Sequence, residues 1–153
     1  MTAIKLLLVE DEVLIVMDLQ ALVERLGHHV VGVSADGSTA LDLARLVRPD
    51  LALVDLTLRD GFTGPTAGLE LAAHGIFVLF VTAIPAEAPL ADPRILGVIS
   101  KPYDSTELVA ALTLLSTHPR EDWGSAAQLL SSLWRRSCVA LAKPHPRVNS
   151  VVP

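Results

Sequence analysis

Short, nearly unbroken apolar runs alternate along this chain with segments whose apolar residues recur at helical spacing, a rhythm that predicts strands alternating with helices. Ile4 to Val9 reads as a buried strand, and Ile15, Leu19, Leu22 and Leu26 then mark one face of a helix over Glu12 to Leu26, with Gly27 supplying the stop. His29 to Ser34 is a second strand and Ser38 to Val47 a second helix, ended by Arg48-Pro49-Asp50. Leu51 to Asp55 is a third strand, the polar Thr57 to Gly64 a loop, and Pro65 to His74 a short helix with Pro in its first turn. Ile76 to Val81 and Ile95 to Ser100 are the fourth and fifth strands. Asp104 with Glu107 forms a capping-box-like start for a helix running to about Leu115. This order predicts an α/β fold around a five-stranded parallel sheet.

The pattern weakens between the last two strands. Pro85, Pro89 and Pro93 fall close together there, and an interior proline costs a helix about 3 kcal/mol, so a loop or at most one helical turn is expected. Beyond the fifth strand's helix, Ala126, Leu130, Leu133, Trp134, Cys138 and Leu141 recur at three- and four-residue steps. They predict one amphipathic helix from Ser125 to Ala142, closed by Pro144 and Pro146. Its apolar stripe must be buried, either on the preceding domain or against the same helix of a second chain in a homodimer.

Composition narrows the class. The 153 residues are 51% hydrophobic and only 19% charged, which suits a sheet covered on both faces. No apolar run approaches the length of about 20 residues that spans a membrane, and MTAIKLLLVEDE meets acids too early for a signal peptide. Cys138 is the only cysteine, so neither an internal disulfide nor a cysteine metal site is available. A cytoplasmic protein is expected. The five histidines, His28, His29, His74, His118 and His145, show no metal-ligand spacing and read as surface or loop residues.

Charge divides the chain. Residues 1–117 carry 7 Lys/Arg against 15 Asp/Glu, whereas residues 118–153 carry 5 against 2. The acidic body is a poor nucleic-acid binder. Arg135, Arg136, Lys143 and Arg147 on a single short helix make a weak DNA-binding module.

The chemistry-bearing residues lie at or just after the ends of strands: Glu10-Asp11, Asp55, Thr82 and Lys101. In an open parallel sheet ligands bind beyond the carboxyl ends of the strands, so these segments converge. Three carboxylates, a hydroxyl and an ammonium suit a divalent cation together with a phosphoryl group.

LLLVEDE, LALVD, FVTA and SKPY, in this order and with 44 residues from Asp11 to Asp55, resemble the receiver domain of two-component response regulators. The resemblance covers residues 4 to about 116 and implies a flavodoxin-like, doubly wound sheet of order 2-1-3-4-5, here with a reduced fourth helix. It divides the chain into a receiver at 1–117 and a C-terminal helical extension at 118–153, too short for a usual output domain. It further implies that Asp55 accepts a phosphoryl group from a phosphohistidine on a sensor histidine kinase or phosphotransfer protein. Mg²⁺ would be held by Asp11, Asp55, the Thr57 carbonyl and Glu10. Lys101, the Thr82 hydroxyl and the Ala83 amide would hold phosphoryl oxygens. By the same analogy Pro102 follows a cis peptide bond.

Such a protein is no enzyme beyond self-catalysed phosphotransfer and autodephosphorylation, and it signals by contact with a downstream protein or by phosphorelay. Two features depart from the family pattern. Val98 stands where many receivers have Tyr or Phe, and FVTAI only partly matches the F-A-T-G-Y signature of a stand-alone receiver group, with Ala83 and Ile84 in place of Gly and Tyr. Two alternatives remain open: a transcriptional regulator acting through the basic tail, and a phosphatase-like enzyme. Against the latter, Glu10-Asp11-Glu12 lacks an Asp-x-Asp pair whose second member serves as general acid.

Overall fold

The computed structural model describes residues 2–102 and 105–129. Five strands, β1 (Lys5–Val9), β2 (His29–Ser34), β3 (Leu51–Val54), β4 (Phe77–Thr82) and β5 (Ile95–Ser100), form one parallel sheet in the order β2-β1-β3-β4-β5. The expected order is observed, and it is accompanied by the helices α1 (Val13–Arg25), α2 (Gly37–Val47), α3 (Gly64–Ala73) and α4 (Ser105–Ser116).

Apart from Lys5 at the start of β1 and Thr82 at the end of β4, the central strands are apolar throughout, because each face needs its own set of side chains. Leu6, Leu8, Leu51, Leu53, Leu79 and Val81 enter the core shared with α1 and α4. Their neighbours Leu7, Val9, Ala52, Val54, Val78 and Phe80 enter the core shared with α2 and α3. Alternation of Cβ directions along a strand turns one continuous apolar run into two faces.

Close packing explains two glycines. A Cβ at Gly64 would lie 2.0 Å from the Asp55 carbonyl oxygen, and one at Gly68 would lie 2.4 Å from the Phe80 ring. Helix α3 therefore seats its first turn directly on the backbone that carries Asp55. Between β4 and β5 the prolines leave only a 3₁₀ turn, Pro85–Glu87, as their density predicts.

The chain after α4 returns to the core. A 3₁₀ turn at Arg120–Asp122 leads into helical residues 123–129, and Trp123 is buried beside Leu115 and Leu96. Its Nε1–H donates to the Leu115 carbonyl at 2.9 Å, and its ring lies 5.2 Å from that of Phe77. Burying an indole while satisfying its one donor is what lets so polar-tipped a ring enter a core. The helix thus begins two residues before the expected Ser125, while Leu130, Leu133, Trp134, Cys138 and Leu141 lie outside the described residues, as do Asp104, His145, Arg135, Arg136, Lys143 and Arg147.

One expectation about histidine is corrected. His28 does sit in a loop, but it is buried, and its Nδ1 accepts the Ile4 N–H at 3.1 Å. The amide at the start of β1 has no strand partner on that side, and the imidazole supplies one. Burial, with a smaller contribution from His29, holds the His28 pKa below its ordinary value of 6.5.

Candidate functional site

The parallel ladder extends one residue past the strand ends and fixes the residues that matter. Glu10 N–H donates to Ser34 O at 2.9 Å, Asp55 N–H to Val9 O at 2.9 Å, and Lys101 N–H to Thr82 O at 2.8 Å. Backbone position is therefore set by the sheet, leaving the side chains to converge above its carboxyl edge. The peptide bond from Lys101 to Pro102 is cis.

Lys101 is the hub. Its Nζ donates to Glu10 Oε2 at 2.6 Å and to Asp55 Oδ2 at 2.8 Å, bridging strands 91 and 46 residues away in sequence. The second oxygen of each acid is also engaged: Glu10 Oε1 accepts the Glu12 N–H at 3.1 Å and Asp55 Oδ1 the Leu56 N–H at 2.7 Å. Burial raises the Glu10 pKa, only partly offset by the Lys101 hydrogen bond. Burial alone would lower that of Lys101, but its bonds to Asp55 and Glu10 outweigh it and leave the ammonium more firmly protonated than usual.

Asp11 is exposed at the rim, yet carboxylate oxygens of Glu10, Asp11 and Asp55 all lie within 4.8 Å of one another. Three acids against one ammonium leave an uncompensated double negative charge, which matches a hard divalent cation taking oxygen ligands. Thr57 is exposed beside them in the loop after β3. Thr82 is 1% exposed, and its Oγ1 accepts the Ile84 N–H at 3.2 Å, so its own hydrogen is left to donate. Ala83 is exposed immediately after it, and Val98 is half-buried against the core on the α2–α3 side.

A second layer escaped the sequence reading. Asp36 occupies the N-cap position of α2 but does not cap it; both its carboxylate oxygens take the Arg59 guanidinium. Asp60 caps the helix instead, from the loop after β3, accepting Gly37 N–H at 3.0 Å, Ser38 N–H at 3.1 Å and the Thr63 hydroxyl at 2.6 Å. The Thr63 hydroxyl first, and then the Gly37 amide, hold the Asp60 pKa well below the carboxylate range. The loop carrying Asp55 and Thr57 is thereby tied to the start of α2, and its tip closes as a tight turn from Leu58 to Gly61, with Gly61 at φ +103°. The Asp60-Gly61 pair signalled that turn; nothing local signalled its target.

Comparison with known proteins agrees with this geometry. A family model described as "Response regulator receiver domain" matches residues 6–113. The chain is similar to the phyllosphere-induced regulator PhyR of Methylorubrum extorquens, 38% identical over 114 residues that cover 72% of this chain and 43% of that protein. It therefore spans about two fifths of that relative's length. It is also similar to the transcriptional regulatory protein PdtaR of Mycobacterium tuberculosis, 32% identical over 148 residues, covering 91% of this chain and 71% of PdtaR. Among solved structures, the PhyR receiver domain of Erythrobacter litoralis has a TM-score of 0.65 at 28% identity, covering 76% of this chain and 95% of that one. The anti-anti-sigma factor PhyR of Bartonella quintana has a TM-score of 0.62 at 28% identity, covering 90% of this chain and 52% of that one.

Proposed function

This chain belongs to the response regulator receiver family, and from that premise we propose that it takes a phosphoryl group from a phosphohistidine onto Asp55 and passes the signal on by protein contact. The observation that carries the reading is the Lys101 bridge to Glu10 and Asp55 at the convergence of three strand ends. A carboxylate oxygen of Asp55 attacks phosphorus, forming an acyl phosphate, while the phosphorus–nitrogen bond breaks and its electron pair stays with the imidazole of the donor. Asp11, Asp55, the Thr57 carbonyl and Glu10 would hold Mg²⁺, which when bound neutralises charge between the entering anion and the acids.

The chain's own residues do the rest. Lys101 exchanges an Asp55 oxygen for a phosphoryl oxygen, which needs little movement from a head group already 2.8 Å from Asp55. The Thr82 hydroxyl and the Ala83 amide donate to the remaining oxygens. Asp60 and Arg59 hold the loop in place during the exchange. The PhyR of B. quintana is described as an anti-anti-sigma factor, which supports output through a protein partner rather than through catalysis. The expected location is the cytoplasm, and no helix among the described residues is long and apolar enough to cross a membrane.

The test is direct. Incubated with Mg²⁺ and acetyl phosphate, the protein should gain one acid-stable, base-labile phosphoryl group by intact mass, and Asp55→Asn should gain none. Equal uptake by the mutant would remove Asp55 from the mechanism. A second reading, transcriptional control through the basic tail, draws support from the alignment with a transcriptional regulatory protein over 148 residues, which takes in most of residues 118–153. A promoter gel shift with and without residues 130–153 separates the two.

A further inference from the structure

Four of the chain's 12 Lys and Arg residues line one cavity at the amino end of the sheet, far from the acids in the fold's polarity. Lys5, Arg45, Arg48 and Arg120 surround a space of about 410 Å³ together with His74 and a single carboxylate, Asp50. We propose that this cavity binds a small phosphate-bearing anion of nucleotide size. The inference is independent of phosphoryl transfer to Asp55.

Two of the cations, Arg45 and Arg120, are held in place by the surrounding structure. His74 Nδ1 lies 2.8 Å from the Glu70 carbonyl, which makes it the N–H donor and leaves Nε2 to accept from Arg45 at 3.1 Å. Arg120 donates to Asp50 at 3.0 Å and to the Gly75 carbonyl at 3.1 Å, with its guanidinium 5.9 Å from the centre of the Phe77 ring. Both guanidinium groups keep unused N–H donors in fixed positions, the arrangement that favours planar recognition of phosphate. Arg48 sits at φ 49° just before Pro49, and neither it nor Lys5 joins any ion pair among the described residues.

A purely structural account explains only part of this charge. Helices α2 and α3 both end at the cavity, and each helix end carries roughly half a negative charge. With Asp50, and with Asp42, which pairs with Arg45 at 3.8 Å, they offset about three of the four cations, leaving an excess of about one positive charge on a chain whose formal net charge is -5. Leu41, Ala44 and Ile76 provide an apolar wall, and the volume falls within the range of small-molecule sites. A recess of this size with an apolar wall suits a compact ligand better than a polymer strand.

Titration of the full chain with pyrophosphate and with ADP, without Mg²⁺ and followed by amide NMR, tests the proposal. Saturable shifts confined to residues 5, 41–50, 74–76 and 120 are expected, and they should weaken as salt rises. Arg48→Gln should lower the affinity about tenfold, and its unpaired side chain makes it the variant least able to disturb the fold. Tighter binding of ADP than of pyrophosphate would assign the apolar wall to a base; equal binding would assign the site to phosphate alone, and either supports the proposal. No saturable shift at millimolar probe, shifts unchanged by Arg48→Gln, or binding of a short single-stranded RNA where both small probes fail would each overturn it.

Discussion

At the carboxyl end of the sheet, the buried Glu10 and Asp55 lie within 2.8 Å of one lysine; at the amino end, cations line a cavity, while Trp123 and His28 are buried nearby in the chain's core. The contrast shows where charge is tolerated and at what cost. Buried charges survive only as a closed set in which each partner satisfies the others, so removing one is expensive. Exposed charges at the amino end are solvated, and stability there rests instead on apolar burial and on single hydrogen bonds to otherwise orphaned backbone groups.

The largest expected effect belongs to the amino end. Trp123→Ala should destabilise the fold by about 3 to 5 kcal/mol, because Phe77, Leu96 and Leu115 lose the ring that fills the space between them. Urea unfolding measures it, and a loss below 1 kcal/mol would mean that residues after α4 add little to the core.

Next comes Lys101→Ala at the carboxyl end. Without Mg²⁺ it should cost on the order of 3 kcal/mol at neutral pH, since Glu10 and Asp55 are left buried without their cation. In a Glu10→Gln background the same change should cost less, because one of the two stranded charges is gone. Equal costs in both backgrounds, read from a double-mutant cycle, would show that Lys101 and Glu10 do not interact.

Asp60→Ala probes the tie between the loop after β3 and α2. It should weaken Mg²⁺ binding severalfold while leaving the phosphorylation rate at saturating Mg²⁺ nearly unchanged, since the loop loses its anchor but no candidate ligand is removed. Leu46→Gly, an exposed change in the same helix, should destabilise α2 without moving Mg²⁺ affinity. If both variants shift it alike, the effect is one of general stability.

The smallest effect is a pH dependence at His28. Its folded pKa lies below 6.5, so the unfolded chain binds more protons between those two values and stability falls as pH drops through 6.5. His28→Gln, which keeps an acceptor near the Ile4 amide, should flatten that limb. Unfolding curves from pH 7 down to 5 provide the comparison, and an unchanged slope would exclude His28 as its source.

Much of the carboxyl end was legible along the chain. Glu10-Asp11, Asp55, Thr82 and Lys101 each stand where an apolar run ends, and parallel strands align such ends automatically. The capping of α2 was not legible: Asp36 is the residue type and position that local rules favour for the task, yet Asp60 performs it from another loop. Nor was the burial of His28, since whether a loop imidazole meets solvent depends on which strand's amide happens to lie beside it.

The sequence by itself determined the order and type of the elements, the two-faced apolar strands and the set of chemical groups available, because periodicity and residue type act over a few neighbouring residues. Tertiary structure alone decided that Lys101 serves two acids at once, that Arg59 and Asp60 bind the loop to α2, and that Lys5, Arg45, Arg48 and Arg120 share one cavity. Each of those outcomes joins residues tens of positions apart, and short-range spacing carries no record of which distant side chains the packing of helices on a sheet will bring within hydrogen-bond reach.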